Sequence, residues 1–196
     1  MRAVLIVAAL ATSAAAAPAP PPAGSKKAAY LDDKHPTPKR AKRPVVGKPA
    51  APLVNLRNAW TDEWLVLDAN PRAPLPAPAL RDRFLRDHYT NQPTQMDGKL
   101  LGTLRDAARK FAARRVDIVS GYRAPKYNLM LRKKGHEVAR DSQHTYGNAV
   151  DFRIPGVALE TLHAWAVSRK LGGVGRYRGS GFVHMDTSKV RYWDGG

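Results

Sequence analysis

Downstream of residue 56 the apolar positions switch repeatedly between the strand period of two and the helix period of 3.6. "EWLVLD" (63–68) is rich in β-formers and precedes a turn, which predicts a short strand. Leu80, Phe84 and Leu85 share one side of a helix expected over 76–90. Leu100, Leu101, Leu104, Ala108 and Phe111 keep helical spacing over 96–115, with Asp97 placed to cap the start. "VDIVSGY" (116–122) reads as a strand, and Pro125 opens a short helix that runs to Leu131 and closes at Gly135. "NAVDFRI" (148–154) is again strand-like, and "ALETLHAWAVSRKLGG" (158–173) is an amphipathic helix ended by glycines. "GVGRY" and "GFVHMDTS" are expected strands joined by a turn at Arg178–Gly181. The elements mix without a regular βαβ repeat and no internal repeat is present. This predicts an α+β domain, a mainly antiparallel sheet with packed helices.

The N-terminal part has a different pattern. Arg2, an apolar run from Ala3 to Leu10 and then small residues make the layout of a secretory signal peptide, with cleavage expected near Ala15–Ala17. The run is too short for a membrane span, which needs roughly 20 apolar residues. Residues 18–55 are mostly Pro, Ala, Lys and Arg, with too little apolar surface to offset the entropy of ordering; they read as a disordered linker. The expected organisation is signal peptide 1–17, linker 18–55 and folded domain 56–196, an exported monomer with no stable membrane span after cleavage. The protein is then in the periplasm or cell envelope, or secreted.

Charge narrows the partners. The 196 residues carry a formal net charge of +17, which implies a polyanionic neighbour. Export and the lack of interleaved aromatic and basic positions argue against nucleic acid. An anionic cell-wall polymer, met through the basic linker, fits better. There is no cysteine, so a metal site must use His, Asp or Glu.

Strand alternation supplies such a set. In "AVDFRI" the apolar Val150, Phe152 and Ile154 take the core face, leaving Asp151 on the other. In "GFVHMDT", His184 and Asp186 share a face. If the two strands are neighbours, His144, Asp151 and His184 can converge on one ion. Two imidazoles and a carboxylate form a zinc set with a position open for water. Gly147 permits the tight loop between His144 and Asp151, and Ala149 leaves room beside the ion.

Ser142, His144, Gly147, Ala149 and Asp151 fit an SxHxxGxAxD pattern. With it, the chain resembles the zinc peptidases that include the D-Ala-D-Ala carboxypeptidases, murein endopeptidases and the hedgehog-type metal site. "SGYRAPKYN" (120–128) is similar to the family's SGYR element, and "GGVGRYRGSGFVHMD" (172–186) to its last strand with the third ligand. The likeness is nearest to a murein endopeptidase branch and covers roughly residues 56–194.

The resemblance implies one Zn2+ held by His144, Asp151 and His184, and a peptidoglycan peptide as substrate. It also implies that Arg123 holds a substrate carboxylate or carbonyl oxygen, as a guanidinium fork suits. The acid that several relatives carry three positions before the last histidine is here Gly181, so Asp186 is the expected substitute base. Tyr146 and Tyr177 are expected to line the cleft. His88, His136 and His163 are expected to stay outside the ligand set, and Trp60, Trp64, Trp165 and Trp193 to pack in the core or at its rim. The expected activity is zinc-dependent hydrolysis of peptidoglycan stem peptides or cross-links. The rival is an inactive hedgehog-like zinc domain that binds wall peptides, which Gly181 would favour.

Overall fold

The computed structural model describes residues 52–136 and 138–195. The expected signal peptide and nearly all of the expected linker lie outside the described residues. Seven strands form one mixed sheet: β1 (Leu53–Asn58), β2 (Trp64–Asp68), β3 (Arg115–Ser120), β4 (Ala149–Arg153), β5 (Gly173–Tyr177), β6 (Phe182–Asp186) and β7 (Arg191–Gly195). Their spatial order is β2-β1-β3-β4-β6-β5-β7. The β1–β3 and β5–β7 pairs are parallel and the other four antiparallel, so the mainly antiparallel α+β fold expected from the sequence is present.

Alternation gives the sheet two unlike faces. One carries Val54, Leu56, Val116, Ile118, Val150, Phe152, Val174, Val183 and Met185, all buried in a single apolar core. Helices α1 (Pro78–Phe84), α2 (Gly98–Lys110) and α4 (Leu159–Ser168) contact β2, β3 and β5–β6 respectively. Phe84, Leu100, Leu101, Leu104, Leu162 and Ala166 bring their apolar stripes into that core. The opposite face carries Asp117, Arg153, Asp151 and His184, the positions that cannot enter an apolar core without partners. Asp117 there is held by Arg115 at 2.6 Å and Arg153 at 3.7 Å. Helix α3 (Pro125–Lys133) and a 3₁₀ turn (Gln143–Tyr146) complete the described elements.

Two strands were not expected. β1 opens at Leu53, ahead of the boundary at 56, and buries Val54 and Leu56 between β2 and β3. β7 places "RYWDG" alongside β5. The helix expected over 76–90 stops at Phe84, because Leu85 turns into the core and the buried Asp87 carboxylate accepts the backbone N–H of Tyr89 and Thr90. The helix expected over 96–115 has its Asp97 cap, accepting from Lys99 N–H at 2.9 Å, but ends at Lys110 before a left-handed Ala112.

β1 is the inner neighbour of two strands, so the sheet cannot lose it and keep β2. Burying Val54 and Leu56 is worth about 1.5–3 kcal/mol each, against a total stability of about 5–15 kcal/mol. A chain starting at Ala50 is expected to melt cooperatively by circular dichroism, whereas one starting at Ala59 is expected to lack a transition. A cooperative melt of the shorter chain at the same temperature would show that β1 is dispensable.

Candidate metal centre

The site is built outward from the Gly121–Ala124 turn after β3. Tyr122 N–H donates to Leu85 C=O at 2.7 Å, and Asp87 Oδ2 accepts Ala124 N–H at 2.5 Å. A side chain on Gly121 would run into the Leu85 backbone, so only glycine permits this approach. On the other side Arg123 N–H donates to His144 C=O at 3.1 Å. His144 sits in the 3₁₀ turn, which Gly147 ends in the left-handed conformation at φ 74°. There Gly147 lies against the Gln95 carbonyl, leaving no room for a Cβ. Its own carbonyl accepts Asp97 N–H at 2.9 Å.

The two histidines are oriented from behind. His144 Nδ1 lies 2.6 Å from the Gly121 carbonyl, which can only accept, so Nδ1 carries the proton and the Nε2 lone pair faces the site. His184 Nε2 lies 3.2 Å from Asp186 Oδ2, which turns Nδ1 toward the same point. Asp151, directly opposite His184 in the β4–β6 register, completes the group. His144 Nε2 is 3.1 Å from Asp151 Oδ1 and 3.1 Å from His184 Nδ1, and His184 Nδ1 is 2.9 Å from Asp151 Oδ1. Polar atoms of these buried residues therefore converge on one small volume, an arrangement that suits a cation. Metal bonds of 2.0–2.1 Å at tetrahedral angles put ligand atoms about 3.3 Å apart, close to the spacing found. The side chains fit a divalent cation, and among the described residues no other His/Asp/Glu group does.

Protonation follows the same logic. Burial holds the His144 imidazole below its ordinary value, against the pull of Asp151. For His184, burial opposes charge, but hydrogen bonds to Asp151 and Asp186 outweigh it and raise the pKa. Asp151 is kept ionised, its burial being overcome by both imidazoles.

The expected base, Asp186, sits in an enclosed, hydrogen-bonded position. Asp186 does share the strand face of His184, but it is 0% exposed and lies on the far side of the imidazole from Asp151. Its oxygens are occupied by Gly173 N–H at 2.8 Å, Ser188 N–H at 3.0 Å, Ser188 Oγ at 2.7 Å and Arg191 Nη2 at 2.7 Å. Burial is outweighed by these bonds and that from His184, so the carboxyl stays well below the usual range and has no free lone pair for a substrate proton. Gly181 closes the β5–β6 turn at φ 67°.

A cleft of about 780 Å³ opens over the trio. Arg123 lies in its wall, with Nη2 3.8 Å from Asp151 Oδ2. Tyr177 also lines the cleft, stacked on Phe182 and accepting Trp193 Nε1–H at 3.3 Å. Tyr146 does not: the tight turn that sends His144 inward sends Tyr146 outward, 56% exposed, with its hydroxyl donating to Asp141 at 2.6 Å. It borders a separate depression beside Arg132 and Arg140. His88, expected outside the ligand set, lines the cleft without joining the trio.

Residues missed from the sequence also line this cleft. Trp193 of β7 lies over Gly175 and 5.1 Å from the His184 ring, and Arg191 stacks on it at 5.0 Å. Any side chain at residue 175 would occupy the place of the Trp193 indole. Trp60, expected in the core or its rim, stands in the opposite wall. The aromatic, β-forming "RYW" was the available signal for β7.

Comparison with known proteins agrees with this geometry. The family described as peptidoglycan L,D-endopeptidase MepK matches residues 54–193. A probable peptidoglycan L,D-endopeptidase MepK of Haemophilus influenzae is 34% identical over 155 residues, 77% of this chain and 83% of that protein. The peptidoglycan L,D-endopeptidase MepK of Escherichia coli K12 is 39% identical over 113 residues, 57% of this chain and 62% of that protein. No solved structure matches the chain significantly. With the family match spanning every described strand that builds the centre, the chain belongs to the peptidoglycan L,D-endopeptidase MepK family.

Proposed function

We propose that this protein is a zinc-dependent peptidoglycan endopeptidase that acts in the bacterial envelope on bonds between L- and D-configured residues. The observation that carries the reading is the buried convergence of His144, Asp151 and His184 at the base of an open cleft, in a chain of this family. The names of its relatives supply the bond type.

His144 Nε2, His184 Nδ1 and Asp151 Oδ1 would hold the zinc. When bound, zinc supplies a Lewis acid that polarises the scissile carbonyl and lowers the pKa of water. Arg123 offers a guanidinium to a substrate carboxylate or carbonyl oxygen. Lys134 and Arg191 make the remaining cleft wall cationic, which suits a stem peptide rich in carboxylates. Asp186 holds the His184 ring in the orientation a ligand needs. Tyr177 shapes the wall near His184. The rival reading, a hedgehog-like domain that binds without cutting, is favoured by Gly181 alone and is not favoured by the family.

The basic segment before β1 is read as a tether. Residues 18–52 intersperse cations with Pro and Ala, and weak multivalent contact with an anionic wall would lengthen residence on it. No described helix is long and apolar enough to cross a membrane.

Purified protein supplied with zinc is expected to cleave defined cross-linked muropeptides at an L,D bond, with the products identified by mass spectrometry. Intact substrate after prolonged incubation would favour the binding-only reading. Asp186→Asn is expected to lower zinc affinity by about 10–100-fold, with excess zinc restoring much of the cleavage. Unchanged zinc affinity with a lasting loss of turnover would restore Asp186 as the base. Zinc affinity measured by calorimetry is expected to fall as pH is lowered through the titration of His184, since its proton must leave before the metal binds and the hydrogen bonds to Asp151 and Asp186 raise its pKa against the effect of burial, extending that competition upward. An affinity that is flat with pH would remove His184 from the ligand set.

A further inference from the structure

Trp60 is 63% exposed, yet it is one of the most tightly placed side chains at the cleft. It follows β1 in a turn organised by Asn58, whose buried side chain accepts the backbone N–H of Trp60 at 3.0 Å and of Thr61 at 3.2 Å. Its indole Nε1–H donates to Val119 C=O at 2.8 Å, at the irregularity in β3 between Ile118 and Ser120. One ring face is stacked on His88, with centroids 4.4 Å apart and planes 2° from parallel. His88 is in turn fixed by Tyr127, whose hydroxyl lies 3.3 Å from His88 Nε2, and Tyr127 stacks on Tyr89. Burial lowers the His88 pKa, so the ring behind Trp60 is a neutral flat support.

This aromatic tier serves no core. It stands at one wall of the cleft whose floor holds the metal trio, while the Tyr177–Phe182–Trp193 group forms another. An indole fixed by its N–H and by one face presents its other face to a ligand with no rotamer entropy left to lose. Peptidoglycan peptides carry small and charged side chains, none with a broad apolar surface. The C–H-bearing ring faces in that polymer belong to its N-acetylated sugars, which are covalently joined to the stem peptide. Such a ring face matches the size and polarity of an indole plane.

We propose that Trp60, backed by His88, is a saccharide subsite that binds an N-acetylated sugar of the glycan strand while the stem peptide reaches the metal centre. The proposal rests on the peptidoglycan reading above and adds a substrate preference to it: peptides still attached to glycan are favoured over free ones.

The test compares one muropeptide with and without its disaccharide, the latter prepared with an amidase. The ratio of kcat/KM values, glycan-bearing over glycan-free, is expected to exceed one in the native protein. In Trp60→Ala it is expected to fall by about 2- to 10-fold, the worth of one aromatic contact, while Trp60→Phe keeps part of the preference. In parallel, the disaccharide-bearing peptide is expected to shift the Trp60 indole N–H resonance, and the sugar-free peptide is not. A ratio near one in the native protein, or a ratio unmoved by Trp60→Ala, overturns the subsite. If neither substrate is cut, the peptidase reading fails, and the indole titration alone decides the subsite: no shift with the disaccharide-bearing peptide refutes it.

Discussion

His144 Nδ1–H donates a hydrogen bond to the carbonyl of Gly121 across 2.6 Å, and the whole centre is arranged around that contact. It fixes the tautomer, and through it the direction of the Nε2 lone pair. It also requires the turn after β3 to hold its carbonyl still. That turn is anchored by Leu85 and by Asp87 on one side and by the His144 backbone on the other, so the end of α1, the end of β3 and the 3₁₀ turn form one rigid block. Arg123 is carried on the same turn, which ties the placement of a cleft cation to the placement of a ligand. His184 repeats the device with Asp186 in place of a carbonyl. In both cases the acceptor behind the ring turns a flexible imidazole into a directed donor of electrons.

The sequence showed much of this because strand phase is a strong constraint. Val150 and Phe152 must face the core, so Asp151 cannot, and the same alternation set His184 opposite Val183 and Met185. What alternation does not contain is rotation about the side chain. Asp186 and His184 share a face, yet which imidazole nitrogen meets the carboxylate depends on Gly173, Ser188 and Arg191, and these close around Asp186 only in the folded sheet. Strand phase therefore placed Asp186 beside His184 without showing how fully its oxygens are engaged. Tyr146 failed for a related reason, since two residues of 3₁₀ backbone, less than a full turn, separate an inward histidine from an outward tyrosine. β1 was hidden by its neighbourhood: Val54 and Leu56 alternate with Asn55 and Arg57, but they follow directly on a Pro- and Lys-rich run that reads as unstructured.

The two faces of the sheet divide the work between stability and chemistry. The helices cover the apolar face and bury the large side chains, leaving the opposite face free to carry charged groups on rigid strands. Placing Asp151 and His184 on adjacent β4 and β6 fixes their separation through backbone hydrogen bonds, with no dependence on a loop. Of the three, only His144 comes from outside the sheet, and the Gly121 carbonyl braces it. The glycines at 147 and 175 serve the same end: one lets the turn approach Gln95, the other lets Trp193 lie flat beside His184.

The central claim is that these particular atoms surround one metal ion. X-ray absorption at the zinc K-edge of the purified, zinc-supplied protein tests it most directly. The account predicts two imidazole nitrogens and light oxygen or nitrogen scatterers at about 2.0–2.2 Å, with the imidazole multiple-scattering signal reduced by half in His184→Ala or lost with the zinc. A spectrum without imidazole scattering, or one unchanged in His184→Ala, would contradict it.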